Sequence, residues 1–168
     1  MAERTAQGIT HPSVQRVGAV LRAAGADVQI VEFTASTRTA AEAAAVVGVD
    51  VAQIAKSLLF LVDDAPVLVI ASGANRVSEP KLAALIGGSV RRADADTVKR
   101  ITGFPVGGVP PFGHTTPLRI LVDEDLLRYP VVWAAAGTPH HNFAIAPAEL
   151  VRIGGGKVAD VHEDPSQR

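Results

Sequence analysis

The sequence predicts a single α/β (α+β) domain in which helices flank a mixed central β-sheet. Its 168 residues suit one domain with a substantial core. Apolar runs typical of strands alternate with helical patterns, and two of these runs are joined by a short turn as in a hairpin. No internal repeat or low-complexity linker interrupts the chain. We therefore expect one domain over residues 13–161, with flexible tails at 1–12 and 162–168.

The first fifty or so residues indicate a helix, a strand and a second helix. Ser13 is placed to cap the first helix, which Gly25 ends, and residues 28–33 alternate as a strand. Thr39 and Glu42 have the spacing of a capping box, which opens an alanine-rich helix. The same cap signature recurs in the next segment and predicts a shorter helical piece.

The remaining elements follow a central hairpin. Residues 54–62 and 67–71 are nearly continuous apolar runs, which predict two strands covered on both faces of a sheet. Further patterns predict, in chain order, helices at 79–86 and 96–101, strands at 118–122, 131–135 and 143–145, and a helix that begins at Pro147.

Composition and charge narrow the classes of function. With 16 basic against 17 acidic residues, the chain lacks the strongly basic footprint of a protein that wraps DNA or long RNA, although it could grip one end of a nucleic acid. The absence of cysteine excludes disulfides, thiolate metal sites and a cysteine nucleophile. The N-terminus does not resemble a signal peptide, and no apolar run approaches the ~18 residues that span a bilayer. We expect a soluble, cytoplasmic protein with no membrane partner.

Residues 105–114 are the most unusual stretch, because these ten residues include three glycines, three prolines and a histidine. Glycine permits positive φ and close approach of a ligand, whereas proline fixes φ and removes an amide donor. A rigid loop with exposed backbone amides can hold a carbonyl oxygen or a phosphate. A proline-braced corner between two elements would have the same composition, so both interpretations stay open.

Lys56 stands at the entrance of an apolar strand, where a lysine is rarely buried without a partner. Its stem could cover the edge of the core while its ammonium reaches water. Alternatively, the ammonium could stand on a cleft wall and meet a phosphate or a developing oxyanion. The residue type alone leaves both interpretations open.

Two adjacent histidines, His140 and His141, follow a predicted strand and a Gly-Thr-Pro turn. Neighbouring residues on an extended segment face opposite sides, so these imidazoles cannot easily share a metal ion. The sequence shows no further ligands at zinc-site spacing, and we predict neither a metal site nor another cofactor. A surface turn and a substrate-recognition turn both remain possible here.

Together these motifs resemble the YbaK-like family, which includes the editing domain of bacterial prolyl-tRNA synthetases and free-standing aminoacyl-tRNA deacylases. The resemblance covers roughly residues 14–153 in pattern and order. The family's Gly-x-x-x-Pro motif falls on Gly107 to Pro111, its Gly-x-x-x-His motif on Gly137 to His141, and its key lysine on Lys56.

The resemblance implies a free-standing hydrolase that cleaves the ester between a wrong amino acid and the 3′ end of tRNA. The tRNA is expected to be of the prolyl type, and a synthetase is a candidate partner. Family members act without a metal and largely by substrate assistance, so no protein nucleophile is required. Lys56 would neutralise the terminal phosphate or steady the ester carbonyl. The backbone amides of Gly107, Gly108 and Val109 would hold the aminoacyl group and its oxyanion.

Further residues receive binding roles on the same basis. His141 is expected in the amino-acid pocket and His140 in solvent. The edited amino acid stays open, because subgroups of the family differ at the histidine position and His140 stands beside it here. The remaining substrate-binding candidates are Pro111, Phe112, Gly113, His114 and Gly137, and the candidates for tRNA contact are Arg91 and Arg92. Two other functions stay open: a non-catalytic module of this fold that binds tRNA or a synthetase, and a hydrolase of another small ester.

Overall fold

The computed structural model describes residues 3–5 and 10–165, and these form nine strands and five helices. In chain order they are β1 Glu3–Thr5, α1 Pro12–Ala23, β2 Ile30–Phe33, α2 Ala40–Val47, β3 Ile54–Val62, β4 Ala65–Ser72, α3 Glu79–Ile86, β5 Val90–Arg92, α4 Ala95–Thr102, β6 Arg119–Asp123, β7 Val132–Ala135, β8 His141–Ile145, α5 Pro147–Gly154 and β9 Lys157–Ala159. Short 3-10 turns span Val51–Gln53 and Glu124–Arg128.

All the strands join one mixed sheet, as predicted. The strand order is β1-β2-β8-β7-β3-β4-β6-β9, and β5 pairs separately with β3. The β3–β7, β4–β6 and β6–β9 pairs are parallel and the others antiparallel. The predicted hairpin is β3–β4, whose two turn residues Asp63 and Asp64 both have positive φ. Such a turn matches the right-handed twist of the strands, and aspartate tolerates this conformation.

One edge of β3 is split. Along its unbroken edge, β3 pairs with β4 over nearly its whole length. Along the split edge, β7 pairs with β3 only at Ile54 and Ala55. Further along the same edge β5 pairs only with Phe60–Val62. Among the described residues, 56–59 therefore have no strand partner on this edge. The gap opens a cleft in the middle of the sheet.

Both faces of the central strands are covered, as the continuous apolar runs predicted. In β4, Leu68 and Ile70 face the larger core cluster, which includes residues of α1 and α5, whereas Val67 and Val69 face a second cluster around Leu82 of α3. The two sets alternate because successive side chains of a strand point to opposite faces. Burial on both faces makes β3 and β4 the rigid support of the cleft.

Most helix ends agree with their sequence signals. Thr39 and Glu42 form the predicted capping box, and α2 ends at Gly48, whose φ is +79°. The first helix differs from the prediction, because Pro12 begins it and His11 rather than Ser13 caps it. His11 Nδ1 accepts a hydrogen bond from the Ser13 amide at 3.2 Å. Proline is favoured at a first helical position, so the helix begins two residues earlier than a Ser13 cap indicated.

The two predicted flexible tails carry structure where they are described. Residues 3–5 pair antiparallel with residues 31–33, and His162 bridges Val77. Beyond that bridge, Asp164 accepts a hydrogen bond from Lys81 Nζ at 3.0 Å. The parts of the predicted tails at 1–2, 6–9 and 166–168 lie outside the described residues. Strands β5 and β9 were not predicted, because three residues are too few to show an alternating pattern.

Candidate functional site

The split in the sheet opens a cavity of about 270 Å³. Residues of β3 around Lys56 form one wall, and loop residues Val106, Gly107 and Val109 form another. The N-terminal part of α2 and the segment before it close a third side, and Asn142 of β8 completes the lining. We call this cavity the lysine cleft. It brings together Lys56 and the glycine–proline loop, which are about fifty residues apart in sequence.

Lys56 is half-buried on the wall where the lysine cleft meets a second groove of about 280 Å³. Its Nζ donates a hydrogen bond to the carbonyl oxygen of Asn75 at 2.7 Å. Leu58 and Arg92 also border both cavities, and Arg76 and Glu79 border the second. The ammonium therefore stands on a cleft wall, within reach of a ligand in either cavity.

The glycines of the loop are required by close packing. Gly107 has a φ of +85°, and a Cβ there would lie 2.5 Å from Arg38 Cγ. A Cβ on Gly108 would lie 2.8 Å from the Cα of Thr138. The Gly137 amide donates to the Gly108 carbonyl oxygen at 2.9 Å, so the two glycine motifs are hydrogen-bonded to each other.

One of the three predicted oxyanion donors already has a hydrogen-bond partner within the loop. The Gly108 amide already donates to Pro105 O at 2.9 Å within a turn, so it is committed inside the loop. Within the described part of the chain, the amides of Gly107 and Val109 have no hydrogen-bond partner, and both residues line the lysine cleft. The loop thus offers two amides rather than three.

Pro111 and Phe112, which were predicted to bind substrate, do not line the lysine cleft. Phe112 is buried in the larger core cluster, where its ring centroid lies 5.7 Å from that of Phe143. Pro111 passes close to α5, because a Cβ built on Gly154 would lie 3.2 Å from Pro111 O. Burial of an aromatic ring is strongly favourable, so this half of the loop turns into the core.

Gly113 and His114 anchor the far end of the loop rather than line the lysine cleft. The Arg16 guanidinium of α1 donates to Gly113 O at 2.6 Å and to His114 O at 3.1 Å. His114 Nε2 lies 2.7 Å from Pro110 O, and burial lowers the pKa of this imidazole. Arg16 and His114 therefore brace the loop from behind.

His141, which was predicted to line the amino-acid pocket, borders a pocket other than the lysine cleft. Its side chain is buried and borders a separate pocket of about 520 Å³, lined also by His11 and Glu32. His141 Nδ1 is hydrogen-bonded to the Thr138 hydroxyl, and Nε2 lies 3.2 Å from Glu32 Oε2. Burial lowers the pKa of His141, and the Glu32 carboxylate partly opposes this shift.

The two other predicted residues of this turn also lie outside the lysine cleft. His140 is exposed, as expected, with Nδ1 3.2 Å from Ala35 O, and it borders the same pocket as His141. Gly137 has a φ of +106°, and a Cβ there would lie 2.9 Å from Ser13 O. Its role in the structure is to let the N-terminus of α1 approach the turn.

The structure adds a polar patch that the sequence analysis missed. Asn142 Nδ2 donates to the Thr37 hydroxyl at 2.7 Å, and that hydroxyl donates to Pro139 O at 2.9 Å. Both side chains are buried, and both residues line the lysine cleft. Period-two alternation along β8 could have indicated that Asn142 faces away from His141, but no sequence signal pointed to Thr37.

The two arginines predicted to contact tRNA face different surroundings. Arg92 pairs with Phe60 in the β3–β5 ladder and borders both the lysine cleft and the second groove. Arg91 is exposed, and its Nη2 lies 2.9 Å from Asp64 Oδ1. Only Arg92 of the pair therefore borders the candidate site.

The fold assembles a cluster of possible metal ligands that sequence spacing did not reveal. Ligand atoms of Asp123, Asp125 and His162 lie within 4.8 Å of one another. Hydrogen bonds occupy much of this cluster, because Asp123 accepts from the Ser72 amide and Asp123 and Asp125 both accept from Asn75 Nδ2. The expectation that no metal is needed stays a prediction.

These features define a single-domain α/β protein whose split mixed sheet holds a lysine-walled cleft closed by a glycine-rich loop. Residues 34–153 match the family model described as the aminoacyl-tRNA editing domain. The chain therefore belongs to the aminoacyl-tRNA editing domain family, and the resemblance to the YbaK-like family is confirmed. Membership assigns the chain a role in tRNA editing. None of the described helices is long and apolar enough to cross a membrane.

Several proteins and solved structures are similar to this chain. The Bacillus subtilis protein YwhH is 32% identical over 137 residues, which cover 80% of this chain and 87% of that protein. A crystal structure of a protein proposed to be a trans-editing enzyme for prolyl-tRNA synthetase is 47% identical, with a TM-score of 0.87 over 93% of this chain and all of that one. The proline–tRNA ligase of Lactobacillus gasseri is 40% identical over 73 residues, or 43% of this chain but only 13% of that enzyme.

Proposed function

We propose that this chain is a free-standing deacylase that hydrolyses mischarged tRNA. The observation that carries the proposal is the meeting of Lys56 with the loop amides of Gly107 and Val109 around one cleft of about 270 Å³. A cation and backbone donors that converge on one small cavity suit a reaction in which negative charge develops on a carbonyl oxygen. The prolyl-tRNA type of substrate is supported by the relatives whose names refer to proline–tRNA ligase or prolyl-tRNA synthetase.

The reaction requires few protein groups. Water attacks the carbonyl carbon of the aminoacyl ester, and a substrate hydroxyl assists by accepting its proton. The amides of Gly107 and Val109 stabilise the oxyanion of the tetrahedral intermediate, each contributing about 3 kcal/mol if well aligned. The bond to the ribose oxygen then breaks, that oxygen takes the proton, and free amino acid and tRNA result. Lys56 holds the terminal phosphate or the ester carbonyl beside these donors.

The lining of the lysine cleft favours a small amino acid. Four alanines, Ala40, Ala43, Ala55 and Ala135, contribute to its lining, and Thr37 and Asn142 supply polar groups. Alanine side chains leave room for a few atoms, and buried polar groups reject ligands that cannot pair with them. We therefore expect small side chains to be removed faster than large ones.

A panel of mischarged tRNAs tests the proposal directly. Each tRNA is loaded with a small or a large amino acid, and release is measured with the parent protein and with Lys56→Ala. We expect the substitution to abolish deacylation while circular dichroism stays unchanged. Lys99→Ala is the matched control, because Lys99 lies on α4 and donates to Gly103 O outside the lysine cleft.

Two outcomes would contradict the proposal. Deacylation by Lys56→Ala at the parent rate would remove Lys56 from the mechanism. Binding of mischarged tRNA without release of the amino acid would favour the non-catalytic module instead. Activity is also expected to survive exhaustive chelation, and its loss with recovery on added zinc would favour a metal-dependent hydrolase.

A further inference from the structure

The Asn75 carbonyl oxygen that accepts the Lys56 hydrogen bond belongs to the loop between β4 and α3. Asn75 is 7% exposed. Its backbone amide donates a hydrogen bond to Ser72 O at 2.9 Å, which makes a tight turn directly after β4. Lys56 pairs with Ala71 across the β3–β4 ladder, so the turn begins one residue beyond that partner. The ammonium thus rests on a backbone carbonyl whose position depends on how this turn is held.

The turn is held by the side chain of Asn75. Its Nδ2 group has two hydrogens, and it donates to Asp123 Oδ2 at 2.9 Å and to Asp125 Oδ2 at 2.8 Å. Hydrogen bonds to ionised carboxylates are roughly twice as strong as those between neutral groups. Both donor positions of the side chain therefore bind the turn to the end of β6.

Asp123 is itself fixed from several sides. It is fully buried, and it accepts hydrogen bonds from the Ser72 amide at 3.1 Å and from the Asp125 amide at 3.0 Å. His162 Nδ1 lies 3.0 Å from Asp123 Oδ1. A buried carboxylate with this many neighbours cannot shift without breaking several contacts, so it is a firm reference point for Asn75.

We propose that Asn75 is a positioning residue that sets the place of the Lys56 ammonium for catalysis: its side chain is held by the buried Asp123 and the partly exposed Asp125, and its own backbone carbonyl holds the ammonium. Asn75 does not act on substrate itself. The proposal rests on the proposed deacylase function, because the catalytic effect is measured on deacylation. It also makes a prediction about Lys56 that holds whatever the substrate is.

The variants form a graded series. Asn75→Ala removes both bonds to the carboxylates, and Asp125→Ala removes one of them from a partly exposed residue. Asn75→Ala is expected to lower kcat about 10- to 100-fold with KM nearly unchanged, because small misplacements of a catalytic group have effects of this size. Asp125→Ala should act in the same direction but less strongly.

Ser78→Ala is the matched control. Ser78 is also buried and lies three residues away, but it caps α3 through the Lys81 amide and takes no part in the Asn75 contacts. This substitution should lower thermal stability while leaving kcat unchanged. A general weakening of the region would instead lower kcat in the control as well.

The second readout is the ammonium resonance of Lys56 in NMR spectra of protein with ¹⁵N-labelled lysine. The chain has four lysines, so the resonance is assigned by its absence in Lys56→Arg. We expect it to shift or to be lost to solvent exchange in Asn75→Ala and to stay unchanged in Ser78→Ala. This measurement does not depend on deacylation.

The outcomes separate the two proposals. A changed resonance together with a lower kcat in Asn75→Ala supports the positioning role. A change in only one of the two, or in neither, overturns it. If the parent protein deacylates none of the tRNAs, the proposed function fails, and the positioning of Lys56 is then decided by the resonance alone.

Discussion

Replacement of Gly107 by alanine tests whether the backbone of the glycine loop contributes to catalysis. Gly107 has a φ of +85°, and an alanine Cβ would lie 2.5 Å from Arg38 Cγ and 3.0 Å from Arg38 O. The left-handed conformation alone costs an alanine roughly 1–2 kcal/mol. The contact with Arg38 must then be relieved, and either the loop or the segment before α2 moves. Both of these border the lysine cleft.

Two other glycines provide matched controls. Gly48 has a φ of +79° with nothing within 4 Å of the added Cβ, so Gly48→Ala measures the conformational cost by itself. Gly103 has the same φ as Gly107 and a contact of 2.5 Å to Thr115 Cγ2, but it lies at the end of α4 away from the lysine cleft. Gly103→Ala therefore introduces a similar backbone strain and close contact at a position outside the lysine cleft.

The assay combines urea unfolding with single-turnover deacylation. We expect all three variants to be destabilised, Gly48→Ala by about 1–2 kcal/mol and the other two by more. Only Gly107→Ala should lose activity, by about 10²–10³-fold, the usual effect of losing one oxyanion donor. If Gly107→Ala retains the activity of Gly103→Ala, the loop amides have no catalytic part and the reasoning is refuted.

Three further predictions follow from the surroundings of the lysine cleft. Arg92→Ala should weaken tRNA binding and flatten its salt dependence, whereas Arg91→Ala should do neither; equal salt slopes for the two variants would contradict this split. Ala43→Val should fill part of the cavity and slow release of larger amino acids most, which competition between two mischarged tRNAs measures. Burial lowers the pKa of His114 in the folded state below its value of about 6.5 in the unfolded chain. The unfolded chain therefore binds a proton more readily. As the pH falls below about 6.5, this difference lowers the free energy of unfolding. His114→Gln should therefore flatten the decline of unfolding free energy with acid, and an unchanged decline would exclude His114 as its source.

Local signals in the sequence predicted local structure well. The capping box of α2 and the span of α3 at 79–86 are confirmed, because each depends on residues within one or two helical turns. The β3–β4 hairpin is confirmed for the same reason, since two aspartates can form its turn without help from the rest of the chain. Lys56 and the motif glycines also indicated the family, because their order along the chain was sufficient.

The side on which each candidate residue lies could not be predicted in this way. Glu32 pairs with His141 across the β2–β8 ladder, and this register directs His141 toward Glu32 and Asn142 toward the lysine cleft. The partners are more than a hundred residues apart, so no local pattern sets the register. A shift by one residue would exchange the two faces.

The sequence by itself determined most of the helices and strands of the domain, the lysine at the start of β3 and the glycines that let the loop approach its neighbours. Only the tertiary structure decided that Val106, Gly107 and Val109 line the lysine cleft while Phe112 packs into the core and His114 lies behind the loop. Only the folded chain brings Asn75, Asp123 and His162 together behind Lys56. The physical reason is that backbone conformation follows from neighbours in sequence, whereas a cleft forms where distant strands fail to pair and distant side chains compete for the same buried space.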